Sequence, residues 1–185
     1  YANKRLVDTS DEKFQNSPGL KRWAAIENLK IAAQTYNEAG SIKELEQKIA
    51  TTAATGKEAK QTVRKLENRI KDLAEIIKYA EQYKANKSYN IAYKKAKNPD
   101  AYFRKHESQI ILYGGARRML EQAGISLKGL NIDKLKAEYQ ELTTQKKELT
   151  ATYKNCDKEL KSLNRKLENL NQYLGRSEPQ KDTPK

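Results

Sequence analysis

The sequence predicts an all-α protein: a long antiparallel coiled-coil hairpin with a small helical tip domain, and an N-terminal helix packed on the base. Three observations predict it. Hydrophobic residues are 37% and charged residues 33% of the 185, a thin apolar supply for a compact globule but the usual one for helices that each bury a single seam. Two long stretches keep an unbroken three-four apolar spacing. They are nearly equal in length with about 45 residues between their facing ends, so antiparallel pairing is the economical route; a parallel pair would need a return path of roughly 65 Å at 1.5 Å per residue.

Residues 1–16 form a polar lead-in, which opens on Tyr1 and reads as the interior of a longer protein. A base helix follows over 17–39. Ser17 is its cap and Pro18 its first helical residue, and Trp23, Ile26, Leu29, Ala33 and Tyr36 make one apolar stripe. Gly40 ends it. Folding back about that glycine brings Trp23 level with residue 57, so the indole is expected to fill the gap that Thr52 and Gly56 leave in the next seam.

The first arm spans 41–85 and opens with a capping box, Ser41 and Glu44. Its seam runs Ile42, Leu45, Ile49, Thr52, Gly56, Ala59, Val63, Leu66, Ile70, Leu73, Ile77, Ala80. The second arm spans 132–174, with Asn131 as cap and Gly175 as stop. Its seam passes from Ile132 through Leu135, Tyr139, Leu142, Lys146, Leu149, Tyr153, Cys156, Leu160, Leu163, Leu167 and Leu170 to Leu174. Between the arms, 86–131 breaks the heptads and holds two further helical patterns. One covers about 87–97; the other is opened by Asn98-Pro99-Asp100 and continues through Gly114-Gly115, where the glycines are expected to permit close packing. The tail, 175–185, is polar, contains proline and is expected to be disordered.

The residues that chemistry requires are scarce. His106 is the only histidine, and HESQI lacks the second histidine that a zinc helix places four residues on. It reads as a partly buried helix-face residue, and neither a metal nor a cofactor is expected. Cys156, the single cysteine, sits on a seam as a small apolar residue and has no disulfide partner. Neither GxxxxGK nor GxGxxG occurs, and the helical carboxylates read as solvated partners of lysine. No catalytic residue is assigned, and the chain is expected not to be an enzyme. No apolar run approaches the roughly 20 residues of a membrane span; a cytoplasmic protein without membrane insertion is expected.

Charge is the stronger signal. Lys and Arg number 37 against 24 Asp and Glu, a net +13. Between residues 84 and 118, Lys84, Lys87, Lys94, Lys95, Lys97, Arg104, Lys105, Arg117 and Arg118 face only Asp100 and Glu107, leaving +7. Six of the 11 tyrosines lie there or on the approach: Tyr79, Tyr83, Tyr89, Tyr93, Tyr102 and Tyr113. Cations contact phosphate and exposed rings stack on unpaired bases, so the tip reads as a nucleic-acid-binding surface in which Tyr89 and Tyr93 join the nine cations. The tyrosines have a second reading, as the small core of the tip.

Several stretches also resemble a known family. LKRWAAIENLKIAAQTYNEAG, SIKELEQKI, SYNIAYKKAKNPDAYFRKHESQIIL and LKAEYQELTTQKKEL are similar to the C-terminal helical region of relaxase (mobilization nuclease) proteins of conjugative transposons and integrative elements from Gram-positive bacteria. The similarity covers about residues 5–175. Such relaxases nick one strand at a transfer origin with a tyrosine beside a metal held by a histidine cluster. None of those catalytic residues has a counterpart in a chain with one histidine. The resemblance therefore implies a non-catalytic C-terminal region serving mobilization.

Two functions are compatible with it. In one the basic tip grips transfer-origin DNA, which the charge clustering favours. In the other the chain docks relaxosome accessory or coupling proteins, or a second copy of itself. A Trp23 that covers the thin part of the seam would satisfy that seam within one chain, which favours a monomer over a homodimer.

Overall fold

Helix ends fall where the sequence supplies a cap. The computed structural model describes residues 4–176, which form five helices and no strand among them: α1 (Glu12–Gln15), α2 (Pro18–Ala39), α3 (Ile42–Lys95), α4 (Pro99–Gln122) and α5 (Ile132–Tyr173). Ser17 Oγ accepts from the Leu20 amide at 3.4 Å with Pro18 beginning α2, and Ser41 Oγ accepts from the Glu44 amide at 3.2 Å. Asn98 Oδ1 accepts from Ala101 at 3.1 Å, and Asn131 Oδ1 from Lys134 at 3.1 Å. Each bond satisfies an otherwise unpaired first-turn donor, and losing such a cap costs about 1 kcal/mol. Gly40, with φ 76°, reverses the chain between α2 and α3; a Cβ there would also run into the Glu44 carboxylate.

The chain divides into two packed units, one from residues up to Lys60 together with those from Ala151 on, the other Gln61–Thr150. In the first, α3 and α5 run antiparallel. Leu45 clusters with Leu163 and Leu170, Lys48 Nζ lies 3.3 Å from Glu159, and Gly56 lies against Cys156. In the second, the same direction is marked by Glu67 with Lys146 at 3.0 Å, Arg69 with Glu138 at 2.8 Å and Glu81 with Lys136 at 2.6 Å. These solvent-facing pairs contribute little stability individually. They record the register that the seam sets. The stability comes from buried apolar side chains such as Leu73 on the seam and Leu120 of α4, both fully buried and each worth about 2 kcal/mol. The all-α helical hairpin is the fold that the two seams predict.

Four expectations are corrected or extended. α2 docks by the opposite face: Ala24, Ile31, Ala32 and Thr35 are buried, whereas Trp23, Ile26, Leu29 and Tyr36 are 52%, 53%, 54% and 53% exposed. The indole does not cover Gly56. The place is closed by Cys156, whose Cβ would stand 3.0 Å from a Cβ on the glycine. The physical reason is that small side chains on the buried face let the α2 backbone approach closely, while the aromatic stripe would hold it off. Second, α4 continues through Gly114 and Gly115 as expected, but nothing lies within 4 Å of a Cβ built on either, so they do not mediate close packing. Third, α3 carries straight on past residue 85 to Lys95, so the loss of heptad spacing there is a change of partner and not a helix end.

Fourth, the lead-in is tied down. Phe14 of α1 is buried, the Val7 amide donates to Asn28 Oδ1 at 2.7 Å, and Asn28 Nδ2 returns a bond to the Val7 carbonyl at 3.0 Å. Buried Asn169 donates from Nδ2 to the Lys4 carbonyl at 2.7 Å. At the other end, α5 closes over Gly175, with φ 67° and the Arg176 amide bonded to the Asn171 carbonyl at 2.8 Å. The rest of the tail expected to be disordered, 177–185, lies outside the described residues. No described helix is long and apolar enough to cross a membrane.

Candidate nucleic-acid interface

All eleven residues singled out by charge and aromaticity lie in the second unit, on the end of α3, the turn after it, and α4. α5 begins at Ile132 and covers α3 only as far as the core of Ile76, Ala80 and Tyr83, which Ile132 and Leu135 help to close. Beyond Ala80 the same three-four strip of α3 continues as Lys84, Lys87, Ile91 and Lys94. Lysines replace the seam residues where the partner helix ends. All four side chains are exposed.

Another face of α3 is taken over by α4 through a ladder of rings. Tyr83 stacks on Tyr113 with centroids 5.0 Å apart and planes 21° apart. Tyr93 meets Phe103 at 5.9 Å, while Tyr89 and Tyr102 meet His106 at 5.2 and 4.5 Å. Tyr89, Tyr93 and His106 are all half-buried. Tyr83 and Tyr113 thus commit a face to each other, while the other rings of the ladder meet at a tilt. α4 bends at His106, whose φ of −129° and ψ of 29° leave the helical range between those two tyrosines. Asn98 and Pro99 start α4 so soon after Lys95 that this ladder can close.

The cations fall into groups. Burial pushes the Tyr113 hydroxyl above the usual phenol range, and its hydrogen bond with Tyr83 adds to this, while the charges of Arg117 and Lys94 oppose it. Arg117 also donates from Nε to Glu121 at 2.9 Å. Arg118, its neighbour, points elsewhere: it lines an open groove of about 370 Å³ with Tyr79, Gln82, Ile111, Leu112, Gly115 and Met119. Arg104 Nε reaches the Asp100 carbonyl at 3.4 Å. Among the described residues, the other eight cations of the set have no carboxylate within 4.0 Å, and all nine are exposed.

What this arrangement offers chemically is a field of exposed cations, eight of the nine without a carboxylate partner among the described residues, around half-buried rings. Among the described residues no group of three or more His, Cys, Asp or Glu is placed to hold a metal. The groove at Ile111 and Met119 escaped the sequence reading. Its only signal was that Ile111, Leu112, Gly115 and Met119 recur at helical spacing opposite the face containing Tyr113 and Leu120.

Comparisons with protein-family profiles, curated proteins and solved structures return no match to this chain.

Proposed function

We propose that this chain is a non-catalytic helical module that binds DNA through the cations of α3 and α4, acting in the cytoplasm as the C-terminal region of a conjugative relaxase that engages transfer-origin DNA. The relaxase assignment rests on the resemblance of the quoted segments. The observation that carries DNA binding is the +7 cluster whose cations, Arg117 apart, have no carboxylate partner among the described residues. Unpaired exposed cations at this density neutralise phosphates and release counterions, so binding weakens steeply with salt. Binding of labelled single-stranded, hairpin and duplex DNA across a salt series tests the reading. A log–log slope of several units supports it; weak binding without salt dependence removes it.

A second reading, docking of an accessory or coupling protein, has its own support in the groove beside Arg118. Ile111, Leu112 and Met119 are exposed there around a glycine with open space over it. An amphipathic helix is the kind of element such a groove accepts. Mobilization partners captured by the intact chain but lost on Leu112→Glu, with DNA binding unchanged, would favour this reading.

A further inference from the structure

α2 is apolar on two faces, and the fold buries one of them; on the other, Trp23 borders an open cavity that it lines with Val7, Phe14 and Leu20. Ala24, Ile31, Ala32 and Thr35 are buried. On the opposite side Trp23, Ile26, Leu29, Ala33 and Tyr36 run the length of the helix, and the four large side chains are half exposed. Half of each such side chain is on the order of 100 Å², so the stripe presents roughly 400–500 Å² of contiguous apolar surface. A patch of that size is what a typical monomer exposes as its largest, and such patches are often functional.

The stripe is complementary to its own inverse. When α2 lies antiparallel to the α2 of a second copy about a two-fold axis between Leu29 and Lys30, Trp23 meets Tyr36 of that copy, Ile26 meets Ala33, and Arg22 meets Asn37 at the rim. Next to the axis Leu29 meets Lys30 of the second copy and packs on its aliphatic stem, a large residue faces a small one on either side of that pair, and two flat rings face each other at both ends. Lys30 is the charged side chain nearest the axis, and its ammonium is held by Glu27 at 3.0 Å. It does not arrive at the axis as an unpaired charge. Two copies together bury on the order of 1,000 Å² once the polar flanks are included, which meets the threshold of a biological interface and belongs to weak, reversible complexes. Self-complementarity of one patch is what a two-fold homodimer requires.

We propose that the outer face of α2 is a homodimer interface, with α2 packing antiparallel on its copy in the Trp23–Tyr36 register. The proposal is independent of DNA binding, because it uses the first unit while the cation cluster lies in the second.

Trp23 is the sole tryptophan, so its emission reads the interface directly. Over about 1 to 200 μM the intact chain should pass from monomer to dimer by sedimentation velocity, as mass action requires, with a blue shift of emission over the same concentrations. Ile26→Glu and Tyr36→Asp, both at half-exposed positions, should each raise the dissociation constant at least about tenfold, the effect of disrupting a central anchor, while helical circular dichroism is unchanged. In a Cys156→Ser background, a mixture of Ile26→Cys and Ala33→Cys chains should form the mixed disulfide in preference to either like pair. A monomer throughout the series overturns the proposal. So does a dimer that both charged variants leave intact, since it would be made by another surface, and so does preferential cross-linking of like pairs.

Discussion

Gly56 of α3 packs against the side chain of Cys156 of α5: a Cβ on the glycine would stand 3.0 Å from the cysteine Cβ and 3.9 Å from its Sγ. The approach that matters is therefore to the part of the cysteine that no rotamer can move. Alanine at position 56 gains up to about 1 kcal/mol of helix propensity. It also forces two helices apart, and overpacking of this kind costs about 1–3 kcal/mol. Gly56→Ala should be destabilising on balance in urea denaturation. Cys156→Ala, which keeps the Cβ, should fail to restore it.

The carboxamide of Asn28 holds the lead-in by two bonds to Val7, at 2.7 and 3.0 Å. Asn28→Ala leaves the Val7 amide and carbonyl without their partners, a loss of about 1–3 kcal/mol locally. Because the tether is peripheral to the seam, the melting temperature should fall by only a few degrees. Amide hydrogen exchange at Val7 should speed by tenfold or more, following the order of magnitude of that local loss. Unchanged exchange at Val7 would show that the tether is not held by this side chain.

Caps and pairing were legible because they are local or nearly so. Ser17-Pro18, Ser41, Asn98-Pro99 and Asn131 carry their own hydrogen-bond geometry, and two seams of equal length leave one economical way to pair. The α2 docking face was not legible. Periodicity shows that Trp23, Ile26 and Tyr36 share a stripe, but not that the smaller residues opposite allow a closer approach. A glycine pair is equally silent, since the lack of a Cβ at Gly114 and Gly115 permits either a close neighbour or open space. In the candidate site, the cation positions followed from composition alone. The ring partners of Tyr89 and Tyr93 did not, because His106 and Phe103 come to them only through the turn at Asn98-Pro99 and the bend within α4.

Glu38 at the end of α2 accepts a hydrogen bond from Lys166 of α5 at 2.7 Å, and that bond holds its carboxyl below the usual carboxylate range. A depressed folded-state pKa means that the unfolded chain binds the proton more readily. The contribution is therefore present above the unfolded value and is lost as pH falls through the folded one. Stability measured in urea from neutral pH down through the carboxylate range should fall, and Glu38→Gln should flatten part of that fall. The same slope in both proteins would show that this pair does not contribute.

The cation cluster makes the sharpest demand on the proposed function. Lys94, Lys95, Lys97, Arg104 and Lys105 flank the turn between α3 and α4, are exposed, and have no carboxylate within 4.0 Å among the described residues. Replacing these five with glutamine removes charge without touching the half-buried ring ladder behind them. Every phosphate that a substitution leaves unneutralised should reduce the slope of log K against log salt by about 0.7 to 0.9, so the variant should bind several-fold more weakly at low salt and with a visibly flatter dependence. The weakening should be similar across sequences, since cations on phosphates position a protein without reading bases. Glutamine at Lys43, Lys48 and Lys161, in the first unit, is the matched control; Lys48 already spends its charge on Glu159 at 3.3 Å. Equal weakening in both sets would reduce the effect to net charge alone. A variant of the turn that binds with the parent's affinity and slope would remove DNA from the proposed function and leave the groove at Ile111 and Met119 as the working surface.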